Sequence, residues 1–195
     1  MVGLTDKRII LASLSPRRKQ LMEMMGLEFD VVVSNADESA SGSGGDQAAL
    51  LARRKASAVA SVEKSAVVIG ADTIVEIDGR LLGKPADARE AFEMLNALQG
   101  REHLVHTGVA IINDGKTKVF VETTTVHFRA LNPKEIKAYI ACGESFDKAG
   151  AYGIQGRGAT LVERIEGDFY AVIGLPVARL WVVLNKILTA GNRAQ

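Results

Sequence analysis

Short apolar runs alternate along the chain with segments whose apolar positions repeat every three or four residues. The runs are typical of buried strands, and the longer repeat is typical of helices that pack one face on a core. The predicted strands are residues 8–12, Phe29–Ser34, Ala66–Ala71, Thr73–Ile77, Arg80–Leu82, Leu104–Ile112, Lys118–Phe128, Thr160–Ile165 and Phe169–Ile173. The predicted helices are residues 16–25, 47–62 and 88–98, a segment from Asn132-Pro133 to Gly143, and a segment from Pro176 to about 189.

Turn and capping residues separate these segments. The Asp-Gly pair at 78–79 predicts a tight hairpin, and Asn-Asp-Gly at 113–115 predicts a second hairpin with longer strands. Asp46 predicts the N-cap of the second helix, and the Ser- and Gly-rich stretch over 34–46 predicts a flexible loop. Strands that alternate with helices, followed by hairpins, predict an α/β fold with a mixed, twisted sheet and flanking helices. We expect one domain over residues 1–195, with a central cleft.

Composition narrows the function classes. Of 195 residues, 47% are hydrophobic, which is enough for a substantial core. The formal net charge is +1 and the sequence contains no block of basic residues, which disfavours a nucleic-acid-binding protein. Cys142 is the single cysteine, which excludes an internal disulfide and fits a reducing compartment. The apolar stretch over 173–188 contains polar and charged residues, so it predicts a buried helix and not a membrane span. The first residues lack the pattern of a signal peptide, and we expect a cytoplasmic protein.

The first helix has an unusual N-terminus. Ser15 is a favourable N-cap and Pro16 a favourable first residue, yet Arg17 and Arg18 follow where the helix dipole prefers acidic side chains. Free backbone N–H groups at a strand-turn-helix junction bind anions. Two arginines beside Ser13 are therefore explained by an oxyanion between them; the alternative is that their side chains turn out to solvent.

Lys55, Asp72 and Lys84 are further candidates. Lys55 falls within the apolar stripe of the second helix, so its side chain either reaches outward to water or points into a site. Asp72 follows a predicted buried strand, where a carboxylate can bind a metal or deprotonate water, or simply cap a turn. Pairing across the 78–79 hairpin predicts that Lys84 and Asp72 are neighbours.

Glu38 lies at the start of the flexible loop. Acidic loop residues are commonly solvated, but a loop folded over a cleft would make Glu38 a second carboxylate for a metal. The three histidines lack the spacing of metal ligands, and strand positions explain them. No phosphate-binding Gly-rich loop of the GxxxxGK type and no GxSxG nucleophile motif is present in the sequence.

Together these stretches resemble a known family. ASLSPRR, Asp37-Glu38-Ser39, Lys55, GADTIV, GKP and DKAGAYGIQG occur in the order of the Maf family, from about residue 8 to about residue 189. Its members are house-cleaning nucleoside triphosphate pyrophosphatases that cleave between the α and β phosphorus atoms. The resemblance implies an elongated α/β fold with a deep cleft between two lobes, related to the inosine triphosphate pyrophosphatases. It also implies a homodimer and a divalent cation, Mg²⁺ or Mn²⁺.

The resemblance assigns a role to each candidate residue. It implies that Asp72 is the general base that activates water and also contacts the metal, with Glu38 as the second acidic residue of that site. The residues implied around the triphosphate are Ser13 and the cations Arg17, Arg18, Lys55 and Lys84, and Lys84 is implied to be catalytic as well. No covalent intermediate is required, in agreement with the lack of an activated nucleophile.

The resemblance also predicts the substrate. The uninterrupted DKAGAYGIQ stretch, with Gln155, is similar to the subgroup that acts on dTTP and UTP. A purine or 7-methyl-GTP pyrophosphatase is an alternative with the same chemistry. A nucleotide-binding regulator of cell division that does not hydrolyse its ligand is an alternative of a different class.

Overall fold

A computed structural model describes residues 7–191 of the chain. Seven strands form one sheet: β1 (Ile9–Leu11), β2 (Asp30–Val31), β3 (Val67–Ile77), β4 (Arg80–Leu82), β5 (Glu102–Asn113), β6 (Lys116–Phe128) and β7 (Val162–Glu166). Six helices flank it: α1 (Pro16–Met24), α2 (Gly44–Ala60), α3 (Ala88–Leu98), α4 (Pro133–Ala141), α5 (Phe169–Ile173) and α6 (Val177–Gly191). Two short 3₁₀ turns, Ala149–Ala151 and Gly156–Thr160, lie between α4 and β7.

The sheet is mixed, as the sequence predicts. The strand order is β2-β1-β3-β5-β6-β7, and β4 also pairs with β3. β1 runs parallel to β2 and β3, whereas β3, β5, β6 and β7 form successive antiparallel pairs. The long hairpin of β5 and β6 turns at Asp114-Gly115, both of which have positive φ.

One edge of β3 is interrupted. β5 pairs along nearly the whole of one edge, while β1 pairs with Val67–Ile69 and β4 with Val75–Ile77 on the other. Residues 70–74 of β3 lie between these two partners. The sheet is therefore open on this side, and the open stretch includes Asp72 and Thr73.

The two faces of the sheet bury different helices. α2 packs on one face, where small residues meet the strands: Ala52, Ala56, Val68 and Ala110. The other face carries two apolar clusters, one formed with α1 and α6 and one formed with α3 and α4. A cleft between two core clusters agrees with the expected arrangement of two lobes.

Two glycines allow α2 to lie unusually close to the sheet. A Cβ atom at Gly108 would fall 2.2 Å from the carbonyl oxygen of Ala48, and one at Gly70 would fall 2.4 Å from that of Ala52. No side chain larger than hydrogen fits at either position. This close contact determines how near the side chains of α2 come to β3.

Four sequence-based predictions of secondary structure are wrong. Asp46 is not the N-cap of α2; Ser43 is, and Asp46 lies in the first turn, where its N–H donates to Ser43 Oγ. Phe29–Ser34 forms a strand only at Asp30–Val31, because only these residues pair with β1. Phe169–Ile173 is a helix, since Asp168 accepts hydrogen bonds from two N–H groups and caps it.

The fourth error concerns β3. The predicted strands Ala66–Ala71 and Thr73–Ile77 are one continuous strand, because β5 pairs without a break from Val68 to Glu76. Asp72 therefore lies within a strand and not after its end. It is nonetheless beyond the last residue of the parallel neighbour β1, which pairs only as far as Ile69.

Candidate functional site

A cavity of about 960 Å³ opens at the interrupted edge of β3. Its walls come from the β1–α1 loop, α2, β3, the segment after β4 and the segment before β7. All eight site residues named from the sequence line it: Ser13, Arg17, Arg18, Glu38, Lys55, Asp72, Lys84 and Gln155. The fold thus brings together residues that are as much as 142 positions apart in the sequence, although their roles stay predictions.

The β1–α1 junction forms one wall. Ser15 caps α1, and its hydroxyl accepts a hydrogen bond from the N–H of Arg18 at 3.4 Å. Ser13 is 8% exposed, and its hydroxyl accepts from the N–H of Ser15 at 3.2 Å. The first turn of α1 contains no acidic residue. The positive partial charge at the N-terminus of α1 therefore faces the cavity, and no acidic side chain of that turn balances it. A helix end of this kind is suited to an anion.

Arg18 does not turn out to solvent. Its Nε donates to the carbonyl of Gly174 at 2.9 Å, and its terminal nitrogens donate to the hydroxyls of Ser13 at 3.3 Å and Thr73 at 3.0 Å. Burial lowers the pKa of Arg18, while the negative charge of Asp72 acts in the opposite direction. The guanidinium is held in the cavity wall by neutral partners and forms no ion pair with any described residue.

Arg17 extends to the opposite side of the cavity. It forms an ion pair with Asp147 at 2.7 Å, and Lys148 approaches the same carboxylate at 2.6 Å. Partial burial raises the pKa of Asp147, but the hydrogen bonds from Lys148 and Arg17 outweigh it and bring the pKa to about 2. Lys19, by contrast, is exposed and lies 3.7 Å from Glu23 on the outer surface of α1.

Lys55 points into the site and not outward. Its Nζ lies 2.7 Å from Asp72 Oδ1 and 2.7 Å from Glu38 Oε1. The side chains of Lys55 and Asp72 are only 14% and 15% exposed, whereas that of Glu38 is 68% exposed. The hydrogen bond from Lys55 and its positive charge lower the pKa of Glu38. One ammonium therefore lies between two carboxylates at the centre of the cavity.

The predicted contact between Lys84 and Asp72 is not formed as an ion pair in the described part of the chain. The β3–β4 pairing ends at Val75 and Leu82, so Lys84 lies outside the ladder, separated from its last residue by Gly83. Lys84 is exposed at the cavity wall, where its charge helps to lower the pKa of Glu38. Of the cations in the wall, Arg18 and Lys84 are the two without an ion pair to a described carboxylate.

The segment before β7 closes the cavity on the side of Gln155. Gln155 is exposed and precedes the 3₁₀ turn Gly156–Thr160. Beneath it Tyr152 is 5% exposed, and its hydroxyl lies 2.7 Å from His103 Nε2. Burial lowers the pKa of His103 to about 4, so this imidazole is neutral at ordinary pH. The buried Tyr152–His103 pair anchors the segment that carries Gln155.

Two carboxylates of the cavity, Asp72 and Glu38, are the side chains that a divalent cation could use. No cluster of three or more His, Cys, Asp or Glu side chains suited to a metal is found in residues 7–191. Asp72 and Glu38 converge on one cation, the ammonium of Lys55, so the site attracts positive charge. Mg²⁺ is commonly bound by one or two carboxylates together with substrate phosphates. The residues present fit that kind of metal site.

Sequence reasoning missed several residues of the site. Thr73 binds Arg18, Asp147 binds Arg17, and Lys148 binds Asp147. Thr73 lies in the GADTIV stretch, and Asp147 and Lys148 begin the DKAGAYGIQG stretch, so these motifs were the available signal. Their roles depend on contacts between distant segments, which spacing alone does not show.

Among residues 7–191, no helix is long and apolar enough to cross a membrane. Residues 8–187 match the model of a family described as "Maf-like protein". A dTTP/UTP pyrophosphatase of Bacillus cytotoxicus is 53% identical over 190 residues, which are 96% of this chain and 100% of that protein. A dTTP/UTP pyrophosphatase of Bacillus cereus is 53% identical over 91% of this chain and 89% of its own length. The Ham1 protein of Staphylococcus aureus has a TM-score of 0.46 at 19% identity, covering 63% of this chain and 72% of that one.

Proposed function

Because the chain belongs to the Maf family, we propose that it hydrolyses dTTP and UTP to the nucleoside monophosphate and pyrophosphate. The observation that carries the proposal is the cavity itself. It gathers a helix N-terminus, Arg17, Arg18, Lys55 and Lys84 around the carboxylate of Asp72. Cations and a helix N-terminus suit a polyphosphate, and a carboxylate among them suits a hydrolytic reaction.

The phosphate chain has two kinds of cationic partner. Arg18 and Lys84 form no ion pair with a described carboxylate and are ready to bind phosphate oxygens. Arg17 is held by Asp147 and exchanges that carboxylate for a phosphate when substrate binds. Positive charge fixed around the triphosphate stabilises the negative charge that develops on the leaving pyrophosphate.

Asp72 is the proposed general base. Lys55 binds its Oδ1, and within the described chain its Oδ2 makes no hydrogen bond, so Oδ2 is the oxygen that accepts a proton from water. As that proton leaves, the water oxygen bonds to the α-phosphorus, and the bond from the α-phosphorus to the bridging oxygen breaks. Pyrophosphate carries away the electron pair of that bond. Lys55 orients the Asp72 carboxylate through its hydrogen bond to Oδ1.

A divalent cation is proposed to bind at Asp72 and Glu38. When bound, Mg²⁺ or Mn²⁺ supplies charge that stabilises the pyrophosphate leaving group. Glu38 is largely exposed and lies on the 34–46 segment, so it can meet a cation that enters with the nucleotide. Lys55 contacts both carboxylates and holds them together before that cation arrives.

The choice of pyrimidine is proposed from Gln155 and from the relatives named above. Gln155 is exposed at the cavity wall, and its amide offers both a donor and an acceptor to a base edge. A uracil or thymine ring presents the complementary groups on one edge. Both curated relatives carry dTTP and UTP in their names, in agreement with this assignment.

The test is a panel of nucleoside triphosphates with Mg²⁺ and with Mn²⁺, in which the products are identified by chromatography. We expect dTTP and UTP to turn over fastest and to yield the monophosphate and pyrophosphate. Release of diphosphate and phosphate would contradict the chemistry. Faster turnover of every purine nucleotide, or of 7-methyl-GTP, would contradict the choice of pyrimidine, and binding of dTTP without cleavage would favour a regulatory module.

We also propose that the protein is a cytoplasmic homodimer. The homodimer rests on the family resemblance, and the location rests on the single cysteine, which suits a reducing compartment. Light scattering at several protein concentrations measures the oligomeric state, and a monomer at all of them would contradict the first proposal. Fractionation of cells followed by immunodetection tests the second.

A further inference from the structure

Arg18 is held from below by a chain of hydroxyl groups. Its terminal nitrogen donates to Thr73 Oγ1 at 3.0 Å, and Thr73 Oγ1 lies 2.9 Å from Thr107 Oγ1 on the neighbouring strand β5. Thr107 Oγ1 in turn donates to the carbonyl of Ala171 at 2.7 Å. Thr107 is 0% exposed, and it is not part of the cavity wall.

The direction of every hydrogen bond in this series, from Arg18 to the carbonyl of Ala171, is fixed. A carbonyl oxygen only accepts, so the hydrogen of the Thr107 hydroxyl points to Ala171 and its oxygen is left to accept. The hydrogen of Thr73 must then point to Thr107, because Arg18 is also only a donor. Thr73 Oγ1 thus turns its lone pairs to the guanidinium. The carbonyl of Ala171 determines, through two hydroxyls, how Arg18 is held.

Two N–H groups of Arg18 stay available. A guanidinium has five N–H groups, and the bonds to Gly174, Ser13 and Thr73 use three of them. One N–H on each terminal nitrogen is left to donate to the oxygens of a phosphate. The direction in which these two N–H groups point depends on the three hydrogen bonds that fix the plane of the guanidinium.

We propose that Thr107 is a positioning residue for phosphate binding, which acts on Arg18 through Thr73 without touching the substrate. The proposal rests on the proposed function, because it assigns the bound anion to the triphosphate. In Thr107→Val the shape of the side chain is kept and the acceptor is lost. The Thr73 hydroxyl then has no acceptor beneath it, so its hydrogen is free to turn toward the guanidinium and release it.

Thr124 provides a matched control. It is also 0% exposed, it lies on the next strand β6, and its hydroxyl donates to the carbonyl of Asp168 at 3.1 Å, at the start of α5. Thr124→Val therefore makes the same change in a similar environment and also weakens the attachment of α5. Its hydroxyl forms no hydrogen bond with Arg18, Thr73 or Thr107, so it reaches Arg18 only through α5, whose attachment both valine variants weaken. A difference between the two valine variants isolates the path through Arg18.

The experiment measures binding of inorganic tripolyphosphate by calorimetry and hydrolysis of dTTP, for the wild-type chain, Thr107→Val, Thr107→Ser and Thr124→Val. We expect Thr107→Val to bind tripolyphosphate about tenfold more weakly and to raise KM for dTTP by a similar factor. Thr107→Ser restores both values to within about twofold, because it restores the hydroxyl. Thr124→Val leaves both near the wild-type values.

A double-variant test excludes a general loss of packing. In an Arg18→Lys background, Thr107→Val is expected to have no further effect on tripolyphosphate affinity, because lysine lacks the guanidinium that Thr73 holds. If Thr107→Val does not fold, Thr73→Val breaks the same chain nearer the surface and should show the same dependence on Arg18.

The outcomes separate this inference from the proposed function. Equal effects of Thr107→Val and Thr124→Val, additivity with Arg18→Lys, or no tripolyphosphate binding by the wild-type chain would each overturn the positioning role. Tripolyphosphate binding that depends on Thr107, in a chain that never cleaves dTTP, would support the positioning role while the proposed function fails.

Discussion

Lys55 Nζ lies 2.7 Å from Asp72 Oδ1, although the two residues belong to a helix and to a strand. The contact is possible because Gly70 and Gly108 let α2 lie against the sheet at backbone distance. Neighbouring side chains on a strand point to opposite faces, so Asp72 meets α2 while Thr73 meets Arg18 on the other face. Since the sheet is open at this point, both faces contribute to one cavity.

Asp72→Asn should abolish release of pyrophosphate while dTTP binding stays measurable. The amide has nearly the same shape as the carboxylate but cannot accept the proton of water at neutral pH. A coupled pyrophosphate assay and equilibrium binding check this, with Asp114→Asn in the exposed β5–β6 turn as the control. Pyrophosphate release at the wild-type rate would exclude Asp72 as the base.

Lys55→Met should abolish hydrolysis and strengthen binding of Mn²⁺ in the absence of nucleotide. Methionine keeps the apolar stem and removes the ammonium that occupies the space between Asp72 and Glu38. The two carboxylates are then free for a divalent cation. Titration followed by electron paramagnetic resonance measures the affinity, with the exposed Lys64→Met as the control. Weaker Mn²⁺ binding in Lys55→Met would contradict a metal site at these carboxylates.

Gly108→Ala should destabilise the protein by about 2 kcal/mol or more, because the new methyl group overlaps the backbone of α2. Its Cβ would lie 2.2 Å from the carbonyl oxygen of Ala48. Urea denaturation measures the free energy of unfolding. Gly83→Ala is the control, because a Cβ there has no neighbour within 4 Å. Similar stabilities of the two variants would contradict the close approach of α2.

The free energy of unfolding should rise with pH between about pH 4 and pH 6.5 because of His103. Burial lowers the pKa of His103 from 6.5 to about 4, so in this interval the unfolded chain binds a proton that the folded chain does not. The stabilisation is complete above the upper limit and is lost as the pH falls to the lower one. Urea denaturation at several pH values should show that the free energy of unfolding rises less steeply with pH in His103→Gln than in the wild-type chain.

Tyr152→Phe is the companion variant for that measurement. It removes the hydroxyl that lies 2.7 Å from His103 and leaves the ring in place. Since burial is the larger cause of the shift, the dependence on pH should be kept in this variant. If the dependence of the free energy of unfolding on pH disappears in Tyr152→Phe but not in His103→Gln, His103 is not its cause.

Most elements could be predicted from the sequence because their signals are local. The N-cap Ser15, the helix over 88–98 and the two hairpin turns all depend on residues within a few positions of one another. Prediction failed where a distant partner decides the outcome, or where a segment is too short to show its period. β3 is continuous because β5 pairs along it, and Phe169–Ile173 is helical because Asp168 caps a segment too short for its own periodicity to be informative.

By itself the sequence determined the residue types of the site, and it predicted that the helix N-terminus with two arginines binds an anion. Only the tertiary structure decided their partners: Arg17 with Asp147, Arg18 with Thr73, and Lys55 with both Asp72 and Glu38. The physical reason is the separation along the chain of the residues that interact. Caps and turns are set by neighbouring residues along the chain, whereas the gap in the edge of β3 exists because β1 and β4 pair with different parts of it.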